Sequence, residues 1–316
     1  MARYMGRRLL LVIPTVIGIT ILASLMVRLL PGSALELLVV QQGGTEEDRD
    51  RIESELGLDR SWVAQYTDWV GGAATGDFGD SLITRRSIGE ELERRLPVTM
   101  EMGLLALFFS SAIAIPVGII SAVNQDKLVD HFVRSLAIGA VAIPGFWLGT
   151  LVMVWPAKLW GWSPPLEYID LWVDPIANLK QMWIPSLLLG IALSGAEMRM
   201  TRTMMVEVLR QDYIRTARAK GLAGRVVVAR HALSNAMIPV ITLIGIQVPF
   251  VVSGTVVLES IFLIPGVGTL MLESLATRDF PVIQAVVLMM AIVVLVANLL
   301  TDITYTMLDP RIRLSG

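Results

Sequence analysis

The chain has 316 residues, 54% of them hydrophobic and 17% charged, with no cysteine and a formal net charge of −2. Soluble domains typically carry about 25% charge, whereas the apolar excess here is gathered in blocks such as Leu9–Leu30 and Val282–Met307, long enough to cross a ~30 Å hydrocarbon core as helices. This excludes a disordered chain, a coiled coil, a collagen and a disulfide-stapled secreted domain, and the near-zero net charge argues against a nucleic-acid binder.

Six spans are predicted, over 9–30, 99–123, 135–155, 183–197, 237–258 and 282–308. None shows the ~10-residue alternation of a barrel strand, so each is expected to be a helix that satisfies its own backbone in lipid. Arg3, Arg7 and Arg8 precede the first block as in a signal peptide, but its 22 apolar residues exceed the ~7–15 of a signal-peptide core. It reads as a retained helix, and 1–30 is taken as the N-terminal end with the first span.

Residues 31–98 form a large external loop. Thr45-Glu46-Glu47-Asp48 reads as a capped helix start with an acidic first turn, running through Arg51–Leu56 to a stop at Gly57. A second short helix, Trp62–Val70, places Trp62, Tyr66 and Trp69 on roughly one face, suited to a membrane interface or to a partner protein. Residues 99–308 would form a five-helix permease core, and 309–316 a cytoplasmic tail.

The fourth span, at fifteen residues, covers only ~23 Å. Charge argues that it crosses. Residues 198–236 hold Arg199, Arg202, Arg210, Arg215, Arg218, Lys220, Arg225 and Arg230 against only Glu207 and Asp212, which the positive-inside rule places in the cytoplasm with the helix running on toward Leu209. Both termini then lie inside. On this topology the cytoplasmic stretches 1–8, 124–134, 198–236 and 309–316 carry 15 basic and 5 acidic residues, and the external ones 10 basic and 20 acidic.

Within 198–236, Asp212–Lys220 reads as a short basic helix, Gly221 as its interruption, and Arg225–Ala236 as a helix leading into the fifth span. Such a corner suits docking to a protein or resting on anionic lipid, and composition does not choose between them.

Ionisable residues inside spans are few: Arg28, Glu101, Glu197 and Asp302. Three of the four fall near span ends, and they read as interfacial anchors or helix-packing pairs. Asn298, Asp302 and Tyr305 share one face of the sixth span and either line a translocation path or bond a neighbouring helix. Pro14, Pro116, Pro144, Gly145, Pro185, Pro239 and Pro249 suggest kinks.

The chain holds no P-loop, because none of Lys127, Lys158, Lys180 and Lys220 sits in a Gly-Lys-Ser/Thr context. Neither His131 nor His231 belongs to a His-Glu-x-x-His motif, and no Gly-x-Ser-x-Gly occurs. No catalytic or metal-binding residue is expected, and an intramembrane protease fails on motifs. Any ATP must be bound by another subunit.

At Asp212-Tyr213-Ile214-Arg215-Thr216-Ala217-Arg218-Ala219-Lys220-Gly221-Leu222 and His231-Ala232-Leu233-Ser234-Asn235-Ala236 the chain resembles the coupling motif of ABC importer permeases, closest to the dipeptide/oligopeptide branch. In the general pattern (Glu-Ala-Ala-x3-Gly, nine residues, apolar-x-Leu-Pro) Ala217, Gly221 and Leu233 match. Arg215 replaces the Glu, Thr216 the first Ala, His231 the apolar residue and Ser234 the Pro, departures that are similar to the peptide branch. Leu56-Gly57-Leu58-Asp59, Gly76-Asp77-Phe78-Gly79-Asp80-Ser81, Pro265-Gly266-Val267-Gly268, Arg278-Asp279-Phe280-Pro281 and Leu308-Asp309-Pro310-Arg311 resemble further fingerprints of that branch, in order.

The resemblance implies an all-α integral membrane protein of the bacterial or archaeal cytoplasmic membrane. It would pair with a second permease, two cytoplasmic ATPases that bind ATP and Mg, and an external substrate-binding protein met by the scoop-like external loop. Residues 212–222 would be the coupling helix, with Arg215, Thr216, Ala217, Arg218, Lys220, Gly221, Leu222 and Leu233 as coupling positions. Gly221 would allow a sharp turn where a Cβ would obstruct close approach. Relatives carry nickel chelates, glutathione or oligosaccharides besides peptides. An ATP-independent secondary transporter would instead predict internal repeats, and none is convincing here.

Overall fold

The computed structural model describes residues 2–29, 59–163, 165 and 167–308. The helix expected over 45–57 lies outside these residues. Among those described, every regular element is helical, and the one extended pairing is an isolated bridge between Asp80 and Ser87.

In chain order the helices are α1 (Ala2–Leu29), α2 (Trp62–Ala74), α3 (Ile88–Val123), α4 (Leu128–Ala142), α5 (Gly145–Trp160), α6 (Pro175–Leu209), α7 (Asp212–Ala219), α8 (Leu233–Phe262), α9 (Val267–Thr277) and α10 (Phe280–Leu308). α8 is preceded by a short turn at Gly224–Val226 and a π-helical stretch at Val227–Ala232. Sequence chemistry sets several ends. Asp174 caps α6 by accepting from the Ile176 and Ala177 amides at 3.0 and 3.1 Å, and Pro175 occupies the first turn, where its missing N–H costs nothing.

Among the described residues four helical runs are long and apolar enough to cross a membrane: α3, α6, the run 224–262 that ends in α8, and 280–304 of α10. The span expected at 135–155 is not one straight helix. α4 and α5 meet at 87° across Ile143-Pro144, because proline lacks the donor a continuing helix needs and its ring pushes the preceding residue out of the helical region. Ile143 is accordingly extended. α6 has 35 residues: it runs on to Leu209 as expected and begins at Pro175, ahead of the span expected from 183, so that Glu197 lies well inside the helix. α1 runs from Ala2 to Leu29 and so takes in the span expected at 9–30 as far as Leu29.

The chain divides into two compact units, and α3 and α10 supply residues to both. One comprises Ala2–Thr99 with Pro265–Val296. Its core gathers Ile88 and Leu92 of α3, Val267 and Leu270 of α9, and Val282, Ala285 and Val286 of α10. Buried Asp279 accepts from Ser81 Oγ at 2.5 Å, the Leu82 amide at 3.2 Å and the Ile83 amide at 3.4 Å. The Val267 amide donates to Thr99 Oγ1 at 2.8 Å. Three of the fingerprint segments thus contribute to the internal bracing of this unit. The face of α2 that bears Trp62 and Tyr66 meets α1, where Trp62 Nε1 donates to Ser24 Oγ at 2.9 Å and the Tyr66 hydroxyl lies 3.0 Å from Thr20 Oγ1.

The other unit comprises Met100–Ile264 with the chain from Ala297 onward. Its helices approach through small residues, the packing expected where lipid offers no hydrophobic drive. A Cβ on Gly190 of α6 would stand 2.8 Å from the Ala106 carbonyl of α3, and one on Gly118 of α3 2.9 Å from the Met198 carbonyl of α6. A Cβ on Gly195 would stand 2.6 Å from the Ala137 carbonyl of α4.

Candidate coupling site

The basic segment 198–236 builds a corner at one end of this second unit. α6 runs out to Leu209, and Arg210 and Gln211 turn the chain into α7. Tyr213, Arg215, Thr216, Arg218, Ala219, Lys220, Gly221 and Leu222 are exposed. Ile214 and Ala217 are buried in a cluster with Met205 of α6, Ala122 of α3, and Val227, Ala232 and Ala236, with Leu233 packed against it. α7 is therefore amphipathic, seated by two inward residues and presenting its basic residues outward. Ala217, expected among the positions facing a partner, faces this chain's own core. Its small side chain lets α7 lie close. Ile214, which seats the helix, is the single large aliphatic residue of Asp212–Ala219, and that isolation is the signal in the sequence that could have found it.

The end of α7 follows from its hydrogen bonds. Gly221 adopts φ +77, its amide donates to the Arg218 carbonyl at 2.9 Å, and the Leu222 amide reaches back to the Ala217 carbonyl at 3.4 Å. This is a Schellman closure, with glycine in the left-handed position that other residues adopt only at a cost. Among the described residues, the glycine's own chain neighbours aside, no atom lies within 4 Å of where a Gly221 Cβ would stand. Within the chain the requirement for glycine is thus conformational, as the sharp turn expected there demands.

Tyr213 ties α7 to the π-helical stretch and α8: Asn235 Nδ2 donates to its hydroxyl at 3.1 Å and to the His231 carbonyl at 3.1 Å. The Arg215–Asp212 pair, 3.5 Å apart, is so exposed that it contributes little to stability. Arg215, Arg218 and Lys220 thus stay available to an acidic partner.

Other polar groups of this unit lie apart from the corner. Glu197 is enclosed and accepts from Ser110 Oγ at 2.8 Å. Glu101 accepts from the Tyr168 hydroxyl and from Asn178 Nδ2, each at 3.3 Å. Burial foremost, then the Glu101 and Asp170 carboxylates, hold the Tyr168 hydroxyl above the ordinary phenol range, so it serves as a donor. Of the candidate path residues on α10, Asn298 is exposed, Asp302 is half-buried, and the Tyr305 side chain lies outside the described residues.

Comparison with known proteins bears on this arrangement. Residues 114–314 match the family described as "Binding-protein-dependent transport system inner membrane component". The dipeptide transport system permease protein DppB of Escherichia coli (strain K12) is 36% identical, over 99% of each chain. The di/tripeptide transport system permease protein DppB of Pseudomonas aeruginosa (strain UCBPP-PA14) is also 36% identical, over 99% of each chain. Among solved structures, an inward-facing MetNI methionine ABC transporter superposes with a TM-score of 0.57 at 16% identity, covering 69% of this chain and 96% of that one. An amino acid ABC transporter crystallised with histidines gives 0.51 at 12%, covering 69% and 94%. These two likenesses speak to the fold. The family match and the full-length relatives speak to descent: the chain belongs to the inner membrane components of binding-protein-dependent transport systems, the permease subunits of ABC importers.

Proposed function

We propose that this chain forms half of a translocation path for short peptides, delivered by an external binding protein and driven by ATP hydrolysed in two partner ATPases. The observation that carries the peptide assignment is the 36% identity, over 99% of both chains, to a dipeptide permease. On this reading the chain crosses the bacterial inner membrane six times with both termini in the cytoplasm. α1 makes one crossing and the bent α4–α5 pair another. The charge asymmetry of the loops supports that orientation.

The exposed face of α7 is the docking surface for the ATPase. Arg215, Thr216, Arg218, Lys220, Gly221 and Leu222 meet the partner, while Ala217 and Leu233 support the helix from within. A second permease completes the path, and the face of α10 that bears Asn298, Asp302 and Tyr305 lines it. The external segment 31–98 receives the binding protein. Chemistry on the transported peptide is not required, since the work is conformational.

The test is co-purification of the tagged chain with its ATPases, combined with mass spectrometry of the ligand carried by the cognate binding protein. Peptides of two or three residues are expected. A metal chelate, glutathione or an oligosaccharide would overturn the substrate assignment, and absence of ATPases from the purified complex would overturn the coupling.

A further inference from the structure

The coupling corner does not stand alone: beside it lies an enclosed ion pair. Asp130, near the start of α4, is 0% exposed. Arg202 of α6 donates to it from Nε at 2.7 Å and from Nη2 at 2.6 Å, one nitrogen to each carboxylate oxygen. Ser121 Oγ, near the end of α3, donates at 2.5 Å, and the Asp126 amide donates at 2.9 Å. Arg134 stands farther off, at 3.8 Å. The partners of this carboxylate thus come from the end of α3, the turn that follows it and α6.

A buried pair of this kind is a poor way to add stability, because the cost of desolvating both charges offsets most of their attraction. A two-pronged guanidinium–carboxylate fork does fix geometry, since it holds both the axial register and the rotation of the helices that bear it.

The location gives that geometry a use. Arg202 lies seven residues before Leu209, about 10 Å along an unbroken helix, and α7 begins just beyond. A second tie repeats the connection closer to the corner, where Arg210 Nη2 donates to Gln125 Oε1 at 3.2 Å in the turn between α3 and α4. The two ties link the end of α6 that leads into the corner to α4 and to the turn between α3 and α4.

We propose that Asp130 and Arg202 are a positioning pair in energy coupling. They pass the displacement of α7 and α6 into α4 and the end of α3. The proposal rests on the reading of α7 as the coupling helix, and it adds residues that neither the coupling motif nor the fingerprints include.

The test uses the full complex (both permeases, the ATPases and the binding protein) in proteoliposomes, with radiolabelled glycyl-leucine as probe. Arg202→Lys keeps the charge and loses the fork, and Asp130→Asn keeps the shape and loses the charge. Both are expected to assemble with the ATPases and to hydrolyse ATP within about twofold of wild type, while peptide moved per ATP falls by at least about fivefold, the scale of a typical coupling energy. Assembled variants whose peptide-to-ATP ratio matches wild type would overturn the pair alone. Variants that no longer assemble would make it a folding element and overturn it as well. A wild-type complex that moves no peptide with ATP would contradict the functional reading, and the pair with it.

Discussion

The amide of Leu222 donates back to the carbonyl of Ala217 across Gly221, closing the end of α7 in a left-handed turn. That closure sets which residues face outward. Ala217 and Ile214 point into the chain's own core, and Arg215, Arg218 and Lys220 point away from it. A short helix held in this manner moves with the ends of α6 and α8 rather than as a loose loop.

Gly221 separates conformation from docking. Gly221→Asn, which tolerates the left-handed position, is expected to retain ATP-driven uptake, whereas Gly221→Val pays about 1–2 kcal/mol for that position and should lose much of it. Gly221→Trp adds bulk on the proposed docking face and should abolish uptake while the protein still inserts in the membrane. Uptake by the tryptophan variant at the wild-type rate would contradict docking there.

The chain has no native cysteine, so crosslinking can map the face of α7 directly. Cysteine at Ala219 or Thr216, both exposed, should form a disulfide with one of a series of cysteines in the partner ATPase. Cysteine at Ile214, 0% exposed, should not. Equal crosslinking at the inward and outward positions would mean that α7 does not present the face described.

Orientation is open to the same approach. A membrane-impermeant maleimide is expected to label Thr67→Cys in intact spheroplasts and Thr216→Cys only after permeabilisation. Labelling in the reverse order would overturn the assignment of inside and outside.

Much of the corner was legible in the sequence, for physical reasons. Eight basic residues in one stretch marked the segment and argued for a cytoplasmic side, and Gly221 after a helical run identified the stop. The extension of the fourth span to Leu209 followed from the same charges. What could not be read is whatever depends on distant partners. Asp130 and Arg202 are 72 positions apart, and each alone reads as an ordinary charge in a loop. Glu197 stands where the apolar run of the fourth span stops, and its enclosure and its bond from Ser110 depend on a distant helix. Pro144 signalled a break between α4 and α5, but only the packing of each helix sets a bend of 87°.

Asp279 tests the bracing of the other unit. Its carboxylate accepts from Ser81 Oγ and from the Leu82 and Ile83 amides, so Asp279→Ala strands three buried or half-buried donors. A loss of about 3 kcal/mol is expected, given 1–3 kcal/mol for an unsatisfied buried group. It is read as a lower thermal midpoint of the purified protein in detergent, with Asp279→Asn falling between the two. An unchanged midpoint would show that other contacts suffice.

The most direct test of the central claim is uptake of labelled dipeptide into proteoliposomes holding this chain, its partner permease and the ATPases, with the binding protein on the substrate side and ATP reaching the ATPases. Uptake is predicted to require both ATP and the binding protein, and to vanish with Gly221→Trp. Uptake that proceeds without ATP, or that follows an imposed proton or sodium gradient, would contradict the account.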